Sequence, residues 1–162
     1  MSHRLPILIL IAAAIPLVDA VDRVGPPEAY TAAVGITNPD VGQSNIRTTI
    51  CKPGWTKTIR PPASYTNKLK VEQMAKLGLK GKPSDYEEDH LISLEIAGDP
   101  TDPRNLAPEA YAGKYGARVK DQVEDHLHRM VCARLDPMPL SVAQNCIKAD
   151  WILCGQKIGA IK

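Results

Sequence analysis

The sequence predicts a small single domain of the α+β class, with flanking helices and disulfides. Three observations lead there. The chain has 162 residues, enough for one compact domain and not comfortably for two. One stretch alternates at the strand period, while others repeat at the helix period. Four cysteines follow a segment that reads as an export leader. With 44% hydrophobic and 23% charged residues the composition is that of an ordinary globular protein. There is no Phe and there are 14 prolines, so the core must be Leu, Ile, Val and Ala, with plentiful loops. A formal charge of +2 is too small to signal nucleic-acid binding by itself.

Residues 1–20 read as a secretory signal peptide. Arg4 gives a positive start, Leu5 to Val18 is apolar apart from Pro6 and Pro16, and Val18-Asp19-Ala20 suits cleavage after Ala20. The apolar run is shorter than the roughly 20 residues a membrane span needs. The processed chain is therefore expected to be secreted or periplasmic, without stable membrane association. Residues 21–45 carry Gly25-Pro26-Pro27 and Asn38-Pro39-Asp40, turn and loop signals expected of an extended arm. Residues 46–162 are the expected domain.

Within it, Thr48 to Cys51 has strand-like composition, and Thr56 to Arg60 reads as a short extended piece closed by Pro61-Pro62. A helix follows, capped by Ser64 or Thr66, with Tyr65, Leu69 and Met74 or Leu77 as its apolar stripe and Gly78 as its stop. Lys68, Lys70, Lys76, Lys80 and Lys82 cluster in and after it, as a solvated surface or a face for phosphates. Glu88 to Ile96 alternates as a strand, with His90, Ile92, Leu94 and Ile96 on one side. A loop with Asp99-Pro100 and Asp102-Pro103 leads to a brief extended Asn105-Leu106. Gly116 to Arg134 is the best helix, striped by Val119, Val123, Leu127, Met130 and Val131, with His126 expected near the core side. A last helix is expected over Leu140 to Leu153.

Cys51, Cys132, Cys146 and Cys154 allow three pairings and have no zinc-finger spacing. The preferred pairs are Cys51–Cys132, joining a strand end to the long helix, and Cys146–Cys154. The second pair requires the last helix to end near Trp151 and turn back. In one regular helix, eight residues would separate those cysteines by about 12 Å.

Glu88-Asp89-His90-Leu91-Ile92-Ser93-Leu94-Glu95, then Asn105-Leu106-Ala107-Pro108-Glu109, then Lys120-Asp121-Gln122-Val123-Glu124 form an ordered set. This set resembles the Asp-His, Asn-Leu-Trp-Pro-Glu and Lys-Asp pattern of HNH (ββα-metal, His-Me finger) nuclease domains. Thr49 to Trp55, Arg60-Pro61-Pro62 and Ser64 to Asn67 also resemble exported bacterial proteins that carry this finger. The resemblance covers roughly residues 45–152 and implies an HNH-like finger. It also implies phosphodiester hydrolysis of DNA or RNA, with His90 as general base. Asp89 is then the first ligand of a divalent cation, and Asn105 holds the imidazole and supports the loop. The family's helix often supplies a His ligand, which the first two turns here lack. Asp121 and Glu124 are the nearest substitutes, and such carboxylates favour Mg²⁺ or Mn²⁺ over zinc. His128 shares their polar face. Ala107 replaces the usual Trp. In a regular strand Asp89 and His90 point to opposite faces, so serving one phosphate requires a bend. Two other functions compete: a catalytically degenerate binding scaffold, and a structural protein of the cell envelope.

Overall fold

The computed structural model describes residues 34–162. The expected signal peptide, its cleavage after Ala20 and the first part of the arm lie outside the described residues. The remainder is a mixed α+β structure in which a two-stranded antiparallel sheet is surrounded by helices. The elements are α1 (Trp55–Ile59), α2 (Ala63–Leu77), β1 (Tyr86–His90), β2 (Leu106–Ala110), α3 (Ala117–Val131), α4 (Leu140–Ala149) and α5 (Trp151–Lys157). Among the described residues no helix is long and apolar enough to cross a membrane.

Three local expectations are corrected. Thr48 to Cys51 forms turns, not a strand, because no neighbouring strand takes its backbone and the Thr48 and Thr49 hydroxyls donate locally to the Asn45 carbonyl at 3.0 and 2.8 Å. Thr56 to Arg60 is mostly helical. Gly54, at φ 82°, swings the chain into α1, and Pro61 follows its extended cap Arg60. The strand expected over Glu88 to Ile96 begins earlier and stops at His90. Its register runs from Tyr86 opposite Ala110 to His90 opposite Leu106. Beyond that point Ile92, Leu94 and Ile96 are buried without belonging to the sheet, and Leu94–Ile96 is a 3₁₀ turn. Burial on both sides, not a pleated half-exposed strand, accounts for this apolar run.

The helices follow their periodicity more closely. Neither Ser64 nor Thr66 caps α2; Pro62 occupies that position, while Gly78 ends the helix at φ 65°. On α3, Val123, Leu127 and Val131 are fully buried and meet Ile92, Ile96, Ile147 and Trp151 in the main core. His126 falls off this stripe. It is half-buried, with Nδ1 3.5 Å from the Arg129 guanidinium, and is not a core residue. The expected last helix is two helices. Asp150 is extended at φ −168° and caps α5 by accepting from the N–H groups of Ile152 and Leu153 at 2.9 and 3.0 Å.

That break lets Cys146 and Cys154 meet with Cα atoms 5.3 Å apart. Cys51 and Cys132 form the other disulfide, with Cα atoms 5.4 Å apart. Both preferred pairings are therefore present, although Cys51 lies in a turn and not at a strand end. Residues 34 to 41 run along the 97–104 loop, where Asn38 N–H donates to the Ala97 carbonyl at 2.8 Å and Val41 enters the core.

The two bridges close loops of 81 and 8 residues. In the chain-entropy estimate they contribute about 4–5 and about 2–3 kcal/mol respectively. Urea unfolding of Cys51→Ala/Cys132→Ala should therefore show a larger loss than Cys146→Ala/Cys154→Ala. The reverse order would mean that strain or residual denatured structure outweighs loop closure.

Candidate active site

The site is built where β1 ends. Alternation along the strand sends Asp89 toward α3 and leaves Tyr86 and Glu88 beside α2, whose Lys70 ammonium donates to the Tyr86 carbonyl at 2.8 Å. After His90 the chain leaves the sheet and folds into the 91–105 loop. Asp89 and His90 thereby reach the same cavity, of about 290 Å³, which Asp121, Glu124 and Arg60 also line. The structure thus brings together four of the predicted site residues, and the bend that the sequence required is the end of β1.

Lys120 organises the α3 side. Its side chain is fully buried, and its ammonium donates to Asp89 Oδ2 at 2.6 Å, to the His90 carbonyl at 2.8 Å and to Glu124 Oε1. Burial alone would lower the lysine pKa, but Asp89, Glu124 and Glu109 raise it, so the ammonium stays charged. The two carboxylates respond differently. Burial pushes Asp89 upward, but Lys120 and a side-chain hydrogen bond with Glu109 outweigh it and hold Asp89 at about 2. Burial dominates at Glu124, which is pushed up to about 8 despite Lys120, with Asp89 adding repulsion. One ammonium thus keeps Asp89 ionised and leaves Glu124 protonated near neutrality.

His90 is 5% exposed, and its Nε2 lies 3.1 Å from the Pro100 carbonyl oxygen. A carbonyl can only accept, so Nε2 carries the hydrogen and Nδ1 is the basic nitrogen. No side chain or backbone group among the described residues hydrogen-bonds Nδ1. Burial lowers the His90 pKa, opposed by the Pro100 contact and Asp89 and aided by Arg60 and Lys120. The imidazole is therefore neutral at neutral pH.

Asn105 does not touch the imidazole, contrary to the role carried over from the resemblance. It is fully buried and bonds only to backbone. Oδ1 accepts from Ile36 and Ile92 N–H at 3.3 and 3.0 Å, and Nδ2 donates to the Ile92 and Asp99 carbonyls at 3.1 and 2.9 Å. The amide takes over the backbone of Ile92 where a strand neighbour would have been. By pinning Asp99 it holds Pro100, whose carbonyl orients His90. Gly98 belongs to the same device, because a Cβ there would lie 1.7 Å from the Ile92 carbonyl oxygen.

Other predicted groups stand apart. His128 Nε2 lies 2.9 Å from the Ile50 carbonyl and ties α3 to the 46–51 turns, away from the cavity. Asp121 is exposed on α3; partial burial, then Asp89, raises its pKa. Sequence reasoning assigned no role to Lys120, Glu109 or Arg60. Lys120 was legible in part: it precedes Glu124 by four residues, and it falls three and seven residues before Val123 and Leu127 on the buried stripe. No family model matches the chain, and no curated protein or solved structure matches it either.

Two stability predictions follow from these charges. Lys120→Met removes the buried ammonium that bonds Asp89, the His90 carbonyl and Glu124, and should cost about 3–5 kcal/mol. Lys68→Met should cost less than about 1 kcal/mol, because its pair with Glu72 is 79% and 61% exposed. Similar losses in chemical unfolding would show that the Lys120 ion cluster is not the stronger tie.

Glu88 gives a pH signature. Both of its carboxylate oxygens are buried and lack hydrogen-bond partners among the described residues, and burial, opposed by Lys70, raises its pKa from 4.5 to about 8. The folded state then binds more protons than the unfolded state across that interval, so stability falls as pH rises through it. Glu88→Gln should flatten part of that decline in melting temperature between pH 4.5 and 8; an unchanged slope would place the titration elsewhere.

Proposed function

We propose that the chain hydrolyses phosphodiester bonds of DNA or RNA, with His90 as the base that takes a proton from the attacking water. The observation that carries this reading is the His90 ring. Its Nε2–H is committed to Pro100, while its Nδ1 is left free of hydrogen bonds beside a carboxylate-lined cavity. The order β1, β2, α3, with α3 tied to β1 through Lys120, supports the resemblance to an HNH-like ββα finger. The two disulfides fit an oxidising compartment, in keeping with an exported, secreted or periplasmic protein.

In this reading water attacks phosphorus as its proton passes to His90 Nδ1, the bond to the leaving oxygen breaks, and that oxygen takes a proton from solvent. Asn105 is a positioning residue acting through Asp99 and Pro100. The Mg²⁺ or Mn²⁺ that the resemblance implies would draw on Asp89, Asp121 and Glu124, but these do not form an open seat. Asp89 Oδ1 accepts from His90 N–H at 2.8 Å, and Asp89 Oδ2 and Glu124 Oε1 both accept from Lys120. Among the described residues no group of three His, Cys, Asp or Glu side chains is arranged to hold an ion. A metal ion would have to displace the ammonium from two carboxylates.

That competition favours a second reading, a catalytically degenerate scaffold that binds nucleic acid without cleaving it. Cleavage of plasmid and RNA by the oxidised protein in Mg²⁺, Mn²⁺ or EDTA separates the two. Under hydrolysis, His90→Ala should lower the rate by about 10²–10⁴-fold while the disulfides and circular dichroism are retained. Asn105→Ala should lower both rate and melting temperature, since it removes four bonds to backbone. Undiminished cleavage in His90→Ala would remove the mechanism. No cleavage by the native chain in any of the three conditions would leave the binding scaffold.

A further inference from the structure

A second cavity, also of about 290 Å³, adjoins the first and shares Arg60, Glu87 and His90 with it. The two differ in charge. Six carboxylates line the first: Glu87, Asp89, Glu95, Asp121, Glu124 and Asp125. The second is lined by Thr66, Asn67 and Lys70 of α2 and by Tyr111. It also includes Glu87, shared with the first cavity and hydrogen-bonded to Tyr111, and Glu88, whose oxygens are covered and present little surface to an incoming anion. The first turn of α2 carries no acidic residue. An anion entering the region is therefore repelled from the α3 side and admitted on the α2 side.

Arg60 stands at the junction. Its guanidinium is exposed and makes no ion pair among the described residues, despite the carboxylates of the first cavity. Arg104, by contrast, is taken up by Asp102 at 2.6 Å, and Lys68 sits near Glu72. The backbone that carries Arg60 is fixed: its N–H donates to the Thr56 carbonyl at 3.0 Å, and the buried Pro61 follows. A planar, forked guanidinium on a held backbone, lining both cavities with the His90 imidazole, suits a phosphodiester anion.

We propose that Arg60 binds the scissile phosphodiester at the junction of the two cavities, with the adjoining single strand lying along the α2 side past Thr66, Asn67 and Lys70. This subsite rests on the hydrolytic reading and names how its substrate is held. Tyr111, 40% exposed and with the Arg118 guanidinium 5.6 Å from its ring centroid, supplies an aromatic and cationic surface for one unpaired base.

The test uses the native oxidised chain and fluorescein-labelled 12-nucleotide single strands of DNA and RNA. Binding is read by anisotropy in EDTA across a salt series, and cleavage is read separately. Arg60→Ala should weaken binding about tenfold or more, and Arg60→Lys less, because the charge remains but the forked geometry is lost. The slope of log affinity against log salt should fall by about 0.7, one phosphate contact on a single strand. Lys68→Ala and Lys76→Ala, which lie outside both cavities, should change affinity less than about twofold. Equal losses in all the alanine variants, or no binding by the native chain, would overturn the subsite. If Arg60→Ala leaves affinity and KM unchanged while His90→Ala abolishes cleavage, the subsite fails and hydrolysis stands. If Arg60→Ala alone loses binding but the native chain never cleaves, the subsite stands and hydrolysis fails.

Discussion

The geometry of this protein depends on one buried ammonium. Lys120 reaches from α3 to the last two residues of β1, taking Asp89 by its carboxylate and His90 by its carbonyl, and takes Glu124 one helical turn further on. A buried ion cluster contributes little net stability, because desolvation offsets most of the attraction. Its larger effect is on position. Any slide of α3 along β1 would pull the ammonium away from the Asp89 carboxylate and the His90 carbonyl that it bonds to. The helix is thereby held where Asp121 and Glu124 border the same cavity as Asp89 and His90.

The other side of the site is held by a neutral amide. The 91–105 loop leaves the sheet at His90 and returns at Leu106, and its backbone polar groups enter the interior without a strand beside them. Buried N–H and C=O groups must find partners. Asn105 supplies four such bonds, Gly98 permits the close approach to Ile92, and residues 34 to 41 cover the outside. The consequence for His90 is indirect but specific. A loop held this tightly presents the Pro100 carbonyl at a fixed place, and that carbonyl selects which imidazole nitrogen stays basic.

Charge separates the surroundings of His90 into two regions. On the α3 side burial, with repulsion from Asp89 added, pushes Glu124 toward its protonated form and raises Asp121. On the α2 side Arg60 and Lys70 face a cavity with two carboxylates, Glu87 and Glu88, and the oxygens of Glu88 are covered. The imidazole lies where these fields meet. The net charge of +2 conceals this division, since it sums groups that the fold keeps apart.

Some of this was readable from the residues alone. The α3 stripe and the stop at Gly78 follow from the helix period and from left-handed glycine, and the condition that Cys146 can meet Cys154 only if the helix breaks follows from the reach of a disulfide, all of which act over a few residues. The Cys51–Cys132 pairing, 81 residues apart, was a preference among three. The cluster around His90 was legible as an ordered set of residue types. The misread segments were those whose state depends on distant partners. Thr48 to Cys51 looked like a strand but met none, and Ile92 to Ile96 alternated yet was enclosed on both sides. Periodicity records which residues avoid water; it does not record what takes the backbone hydrogen bonds. That choice was made by Asn105, thirteen residues beyond Ile92, and by Lys120, thirty beyond His90. The sequence by itself determined which groups were available for chemistry. Only the tertiary structure decided which of them meet, because the pairing of buried charges and backbone groups is settled between elements far apart in the chain.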